Sequence, residues 1–414
     1  MSSWKEMLKA VSFAVLIAYA LTACSVSPHK YDVAPQVAIE QRAIARELGT
    51  IEVRTSVPSD EEARELFGIP LHKRGIQAVW LEITNNSEKR ARFAPYSVDP
   101  DYYPPHEVAY MFRKQFSKEG WIALESYLDD LSMPRDIGPG QTETGYVFTN
   151  TTVGTKAFNV DVFYTADRGK NEHFTFFVDV PGFTPDHANV DFENLYDDGL
   201  QDMSPEAFRE LLNDWPCCTT DYTDSRTGRP VKVMVVARGR DLLQALLRAE
   251  WSETSYERDD NYLKYSNYYF ERPPDAVFRK GREGKKQESI ELSLWLSPVA
   301  VDGVPVWAVN VRHAIGRLFE LGENFFGIRF DPDTDNGRNY VLQDFWYGRS
   351  LESYAWSGSG KKVPESDPVS DFNGNVWFSD GFRVVLWLSG EPVSLKDATG
   401  RNWDNVLAAK AAEQ

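Results

Sequence analysis

The chain is 414 residues long with 42% hydrophobic and 13% aromatic residues, enough apolar material for sizeable cores; at roughly 100–200 residues per domain this predicts two or three domains. The 62 acidic against 45 basic side chains give a formal charge of −17. Such an excess argues against nucleic acid, whose binding rests on basic contacts to phosphate, and against adhesion to anionic lipid by surface charge.

The first 24 residues divide into three parts. Lys5 and Lys9 place positive charge at the start, partly offset by Glu6, and residues 10–21 form an apolar run interrupted only by Ser12 and Tyr19. Twelve helical residues rise about 18 Å, short of a hydrocarbon core about 30 Å thick, so the run suits an export signal and not a spanning helix. It ends in Leu21-Thr22-Ala23-Cys24, which resembles the lipobox of bacterial lipoproteins. That resemblance implies removal of residues 1–23, acylation (palmitate-type) of Cys24 and attachment to a membrane through the lipid. Two or three acyl chains hold far better than one, each buried methylene adding roughly 0.8 kcal/mol. Ser25, in place of an aspartate, favours the periplasmic side of the outer membrane over the inner membrane. An ordinary signal with an incidental cysteine is the alternative. No later stretch approaches 18 consecutive apolar residues, so no spanning helix is expected in the remainder.

Residues 24–50 are expected to be a tether followed by a short helix over 37–48. From residue 51 the pattern turns to strands: residues 76–83 alternate with period two, Asn85-Asn86-Ser87 supply a turn, and 91–94, 143–150, 157–165 and 172–180 continue the strand character. Residues 105–131 have the helical recurrence Val108, Met111, Phe112 and Phe116. Together 51–185 predict an immunoglobulin-like β-sandwich with a helical insertion. Residues 186–229 suit a linker and a helix capped by Ser204 with Pro205 at its first position. Residues 230–395 are expected to form an α+β domain: a strand over 231–237, a helix over 241–251 with Leu242, Leu243, Leu246 and Leu247 on one face, strands over 289–296 and 304–311 joined by Asp302-Gly303, and a strand over 382–388. A tail, 396–414, follows.

Several blocks in this second half carry a resemblance. They are Cys217-Cys218-Thr219-Thr220; Leu242, Ala245-Leu246 and Ala249-Glu250-Trp251; Tyr268 to Lys280; Trp295 with Asp302-Gly303-Val304-Pro305-Val306-Trp307; Asp331-Pro332-Asp333-Thr334-Asp335 with Arg338-Asn339; and, more loosely, Asn373-Gly374-Asn375 with Ser379-Asp380-Gly381. In order and spacing, over about residues 212–390, they resemble the LssY C-terminal-domain family. The resemblance implies an envelope protein, in a family sometimes fused behind membrane phosphatases. The chain departs from the family at a histidine before the D-P-D block, where Ile328-Arg329 stand, and at an R-x-H-x-R-x-W strand, which becomes Glu291-Leu-Ser-Leu-Trp295.

Chemistry-bearing residues are few. Asp331, Asp333 and Asp335 alternate as calcium ligands do, but an EF-hand loop beginning at Asp331 would need Gly at Asn336 and an acid at Leu342. The alternative is a turn whose carboxylates favour a following helix over 338–347. Cys217 and Cys218 are a possible redox pair or two small buried thiols; being adjacent, they cannot staple distant segments. His29, His72, His106, His173, His187 and His313 include no pair at metal-binding spacing. His313 beside Arg312 is a candidate base, Arg272 and Asp275 a candidate ion pair, and Tyr262, Tyr265, Tyr268, Tyr269 and Phe270 either a ligand groove or packing. The expectation is a non-enzymatic, lipid-anchored envelope module that binds an envelope protein or glycan, with no cofactor. The alternative is a divalent-cation hydrolase of envelope phosphoesters built on Asp331, Asp333 and Asp335.

Overall fold

The computed structural model describes residues 29–165, 171–256, 263–264, 266–282, 285–318 and 327–404. The architecture is mixed α+β with several sheets, and the chain divides into two compact units. One comprises residues up to Thr152 together with Phe158–Pro181, and the other Val153–Ala157 with Gly182 onward. Among the described residues no helix is long and apolar enough to cross a membrane.

The first unit opens with helix α1 (Pro35–Gln41) and strand β1 (Ile44–Leu48), where one helix over 37–48 was expected. Residues 44–48 instead pair antiparallel with β2 (Ile51–Ser56), which satisfies their backbone groups although all five side chains stay exposed. Helix α2 (Asp60–Phe67) has a full capping box: Ser59 Oγ accepts from the Glu62 amide and the Glu62 carboxylate accepts from the Ser59 amide. Next come β3 (Ile76–Asn85) and β4 (Ala91–Ala94). The predicted insertion is two helices, α3 (Pro105–Phe112) and α4 (Lys118–Asp130), because Ser117 caps a new start by accepting from the Gly120 amide. Strands β5 (Asp136–Ile137), β6 (Thr142–Asn150), β7 (Thr155–Tyr164) and β8 (Asn171–Asp179) complete two four-stranded sheets, ordered β1-β2-β3-β6 and β5-β4-β7-β8. Alternation explains the layering. Val79, Leu81 and Ile83 meet Phe93, Val160, Val162 and Phe176 in one apolar cluster shared by the sheets. The opposite face of β3, through Ala78 and Trp80, packs beneath Phe67, Val108, Phe112, Leu124 and Leu128 of the helices.

The second unit centres on a ten-stranded mixed sheet. Before it lie β9 (Gln201–Met203), helix α5 (Pro205–Leu211), β10 (Cys218–Thr220) and β11 (Thr227–Pro230); Ser204 caps α5 as expected. Residues 186–202, expected as a linker, belong to this unit. Phe192, Leu195, Tyr196 and Leu200 pack against its apolar core, an attachment that the acidic surroundings of these residues conceal in the sequence. Strand β12 (Val233–Val236) runs into helix α6 (Gly239–Arg248), whose Leu242, Ala245 and Leu246 are buried. Burial of each leucine contributes roughly 1.5–3 kcal/mol. Strands β13 (Ser252–Glu253), β14 (Ala276–Arg282), β15 (Lys285–Val301) and β16 (Val304–Leu318) follow. Asp302 and Gly303 turn β15 into β16 with φ of 50° and 75°, the left-handed geometry of a two-residue hairpin. The remaining elements are β17 (Gly327–Phe330), helix α7 (Thr334–Tyr347), β18 (Leu351–Ser357), β19 (Lys362–Val363), β20 (Val369–Ser370), β21 (Val376–Trp377), β22 (Ser379–Asp380), β23 (Arg383–Leu388) and β24 (Thr399–Arg401). Strand β12 lies between β16, antiparallel, and β23, parallel. Trp307, Val309, Leu292 and Leu294 face α6 and α7, whereas Trp295, Val306, Ala308 and Val385 face α5.

Candidate functional site

Cys24, Tyr262 and Tyr265 lie outside the described residues. The three aspartates near residue 333 are described, and they are committed to separate tasks. Asp333 caps α7 by accepting from the Asp335 amide at 3.0 Å. Asp331 closes the turn, accepting from the Asp333 amide at 3.0 Å and the Asn336 side chain at 3.2 Å. Asp335 takes Lys232 Nζ and the Asp380 amide, the latter at 2.8 Å. Among the described residues no group of three His, Cys, Asp or Glu side chains is arranged to hold a metal ion. His313 Nδ1 stands 3.6 Å from an Asp331 carboxylate oxygen, an ion-pair distance and not a hydrogen bond.

Around Asp335 lies a buried charge cluster that sequence reasoning missed. Lys232 reaches Asp335, Asp380 Oδ1 at 3.3 Å and Ser379 Oγ at 2.6 Å. Arg338, 1% exposed, grips Asp380 with two bonds of 2.7 and 3.0 Å and lies over the Trp356 ring. Two cations thus face two anions. Burial and the neighbouring Arg338 push the Lys232 ammonium down to about 7, while Asp380 pulls it back. Burial raises Asp380, but Arg338 and Lys232 outweigh it and hold that carboxyl well below the usual range. The Lys232–Ser379 contact resembles a nucleophile with its base, yet both side chains are buried and the lysine is bound by carboxylates. The cluster ties β12, α7 and β22 together. Its one sequence signal is a lysine inside the apolar run Val231 to Val236.

The remaining candidates lie elsewhere in the second unit. Arg272 and Asp275 form a two-bond ion pair of 3.0 and 2.9 Å, with Asp275 also accepting from the Leu296 amide. Tyr269 is 3% exposed, donates to the Pro216 carbonyl at 2.9 Å and packs edge-on against Phe270, so these aromatics are core and not groove; Tyr268 bridges by its backbone to Thr220. Cys217 and Cys218 are joined to each other by a disulfide beside Trp377 and Val363.

The feature best shaped for a ligand lies on the α6 side of the large sheet. A cavity of about 500 Å³ is walled by Leu242, Leu243 and Leu246 of α6, by Phe278, Leu294, Leu296 and Trp307 of the sheet, and by Phe192 and Leu200. That volume lies within the range of small-molecule pockets. Trp307 donates its indole N–H to the Ala237 carbonyl at 3.0 Å, so only its ring is presented. The polar lining is confined to His187, Glu193, Arg240 and backbone. His187 Nε2 meets Glu253 Oε1 at 2.7 Å, and its ring stacks on Phe278. Burial raises Glu253, but the His187 bond and charge hold its carboxyl below the ordinary value. The first unit has a cleft of about 370 Å³ with a mixed lining that includes Tyr102, Asp129, Asp130 and Arg135. No sequence motif announces the α6 cavity, since its walls read simply as core. No protein-family model matches the chain, and no curated protein is similar to it.

Proposed function

We propose that the chain is a lipid-anchored envelope protein, held through Cys24 on the periplasmic side of the outer membrane, that binds a small amphipathic molecule in its second unit. The observation carrying this reading is the 500 Å³ cavity with apolar walls and a short polar rim of His187, Glu193 and Arg240. Such a cavity takes an apolar chain into its interior and leaves an acidic head at the rim, beside Arg240. It suits an apolar ligand better than the glycan expected from the sequence. In this reading the first unit is an immunoglobulin-like sandwich and the second an LssY-like domain. The divalent-cation hydrolase is not carried forward, because Asp331, Asp333 and Asp335 already bond separate protein groups.

The test is displacement of a fluorescent long-chain fatty acid from the purified full chain. Leu246→Trp, which fills the cavity from α6, should weaken binding at least tenfold while the thermal transition stays within a few degrees of the parent. Equal binding by the variant and the parent would sink the reading.

A further inference from the structure

Seven side-chain nitrogen and oxygen atoms among the described residues are buried without a hydrogen-bond partner, and five of them belong to Arg229, Asn310, Arg312 and Trp377. Buried polar atoms are almost always bonded, so a concentration of orphans marks a place where something else completes the bonding. All four residues gather around β11. Arg229 belongs to it; Asn310 donates its side-chain amide to the Pro230 carbonyl at 2.9 Å; Arg312 is two positions along the same face of β16; and Trp377 packs on Cys218, the register partner of Pro230.

The orphan atoms define what is missing. Arg229, 5% exposed, spends Nη2 on the Asp331 carbonyl at 2.5 Å, leaving Nε and Nη1. Arg312 spends Nη2 on Glu291, leaving Nε. Both guanidinium groups lie against the Phe330 ring, 5.7 and 5.6 Å from its centre. The carboxylates nearby already have partners, and Asp371 faces both arginines through its charge. Glu291 sits between Arg279 and Arg312; Asp331 bonds the Asp333 amide and Asn336; one Asp371 oxygen accepts from the amides of Asn373 and Asn375. The bond to Pro230 fixes the Asn310 amide, since a flip would set its oxygen against that carbonyl. Its Oδ1 therefore calls for a donor.

The Trp377 indole apart, three guanidinium donors and one amide acceptor ask for a group with several acceptor oxygens and one proton. Sulfate and carboxylate offer no such proton near neutral pH, whereas a monohydrogen phosphate does, and guanidinium groups suit phosphate geometry. Arg312 also lines a polar cleft of about 200 Å³ with Tyr256, Asn267, Glu291 and Ser293, several times the roughly 30 Å³ share of a water molecule. We propose that Arg229, Asn310 and Arg312 bind a protonated phosphate group, free or as the head of a monoester, with the arginines holding its oxygens and Asn310 Oδ1 accepting from its P–OH. This site lies on the sheet face opposite the apolar cavity and does not depend on the ligand proposed there.

Isothermal titration of the full chain with inorganic phosphate, at fixed ionic strength near pH 6, tests it. Saturable binding is expected, with sulfate at least tenfold weaker and glucose inert. Glycerol phosphate binding tighter than the free ion would identify a monoester as the occupant, and weaker binding the free ion. Asn310→Leu should erase the preference for phosphate over sulfate, and Arg229→Lys should weaken phosphate at least tenfold, with circular dichroism checking that both fold. No saturable binding by the parent chain overturns the proposal, as does equal affinity for phosphate and sulfate.

Discussion

Among the described residues the first unit buries no aspartate, glutamate, lysine or arginine, whereas the second buries eleven, among them Arg229, Lys232, Glu253, Asp275, Glu291, Arg338, Asp371 and Arg383. In the first unit the buried polar work falls to neutral groups. Asn85 alone donates to the carbonyls of Lys89, Ile137 and Gly138 and accepts from Ser87, holding a turn that the sheets need. In the second unit ions do the joining. Arg383 is fully buried with no carboxylate bonded to it among the described residues, and its guanidinium reaches the carbonyls of Leu212, Trp215, Pro216 and Val231. A neutral hub costs little to bury. A charged one costs several kcal/mol per ion before its partners offset the loss, and well-packed apolar side chains often serve stability as well. By that reasoning the buried ions of the second unit are not expected to add net stability.

The largest effect that bears on this contrast is expected from Asp380→Asn. It leaves Lys232 and Arg338 facing Asp335 alone and should cost about 3–5 kcal/mol, as loss of one partner of a buried pair does. Glu82→Gln in the first unit breaks only the half-exposed pair with Arg54 and should cost at most about 1 kcal/mol. Urea unfolding followed with a probe in each unit measures both, and equal costs would erase the distinction. Acid should separate the units next. Asp380, Glu291 and Glu253 of the second unit are raised by burial yet held below their ordinary values by Arg338 with Lys232, by Arg312 with Arg279, and by His187 respectively. Depressed carboxylates contribute stability that is complete above the unfolded values of about 4 and is lost as pH falls through the folded ones. The first unit has one such resolved case, Glu62, raised by burial and lowered by Arg42. The second unit should therefore lose stability faster below about pH 4. Lys232 acts with the same sign in a higher window: lowered to about 7, it makes the folded state gain as pH climbs from there towards the unfolded lysine value of about 10.4. A parallel acid decline of both units, monitored by near-ultraviolet circular dichroism, breaks the comparison. The smallest effect is local. Ser59→Ala removes the α2 cap and should cost about 1 kcal/mol in the first unit while leaving the second unit's transition in place.

The architecture was more legible than the site. Period-two alternation in residues 76–83 and around Trp295, the four leucines of α6 and the Asp302-Gly303 turn lead directly to elements that form. Where local pattern misled, tertiary pairing decided the outcome. Residues 44–48 have helical spacing but find hydrogen bonds beside β2, and Phe192 and Tyr196 sit among acids yet dock on a core. The charge cluster was illegible for a simpler reason: Lys232 meets groups 103 and 148 residues away, and no spacing rule reaches that far. The cavity escaped because a wall residue and a core residue look alike in sequence. Its leucines were expected on the buried face of a helix, and that is where they lie.

The closed ring at Cys217 and Cys218 changes how the chain's sulfur can be counted. Three cysteines occur, and with two of them bonded to each other a single sulfur, that of Cys24, is left for alkylating reagents. Maleimide uptake before reduction thus reports the fate of the proposed anchor: none where Cys24 is acylated, one where it is not, with two more sites exposed once reductant opens the ring. In the acylated protein, a cysteine introduced anywhere else becomes a unique attachment point for a spectroscopic label, so the chain comes prepared for distance measurements without the removal of native residues.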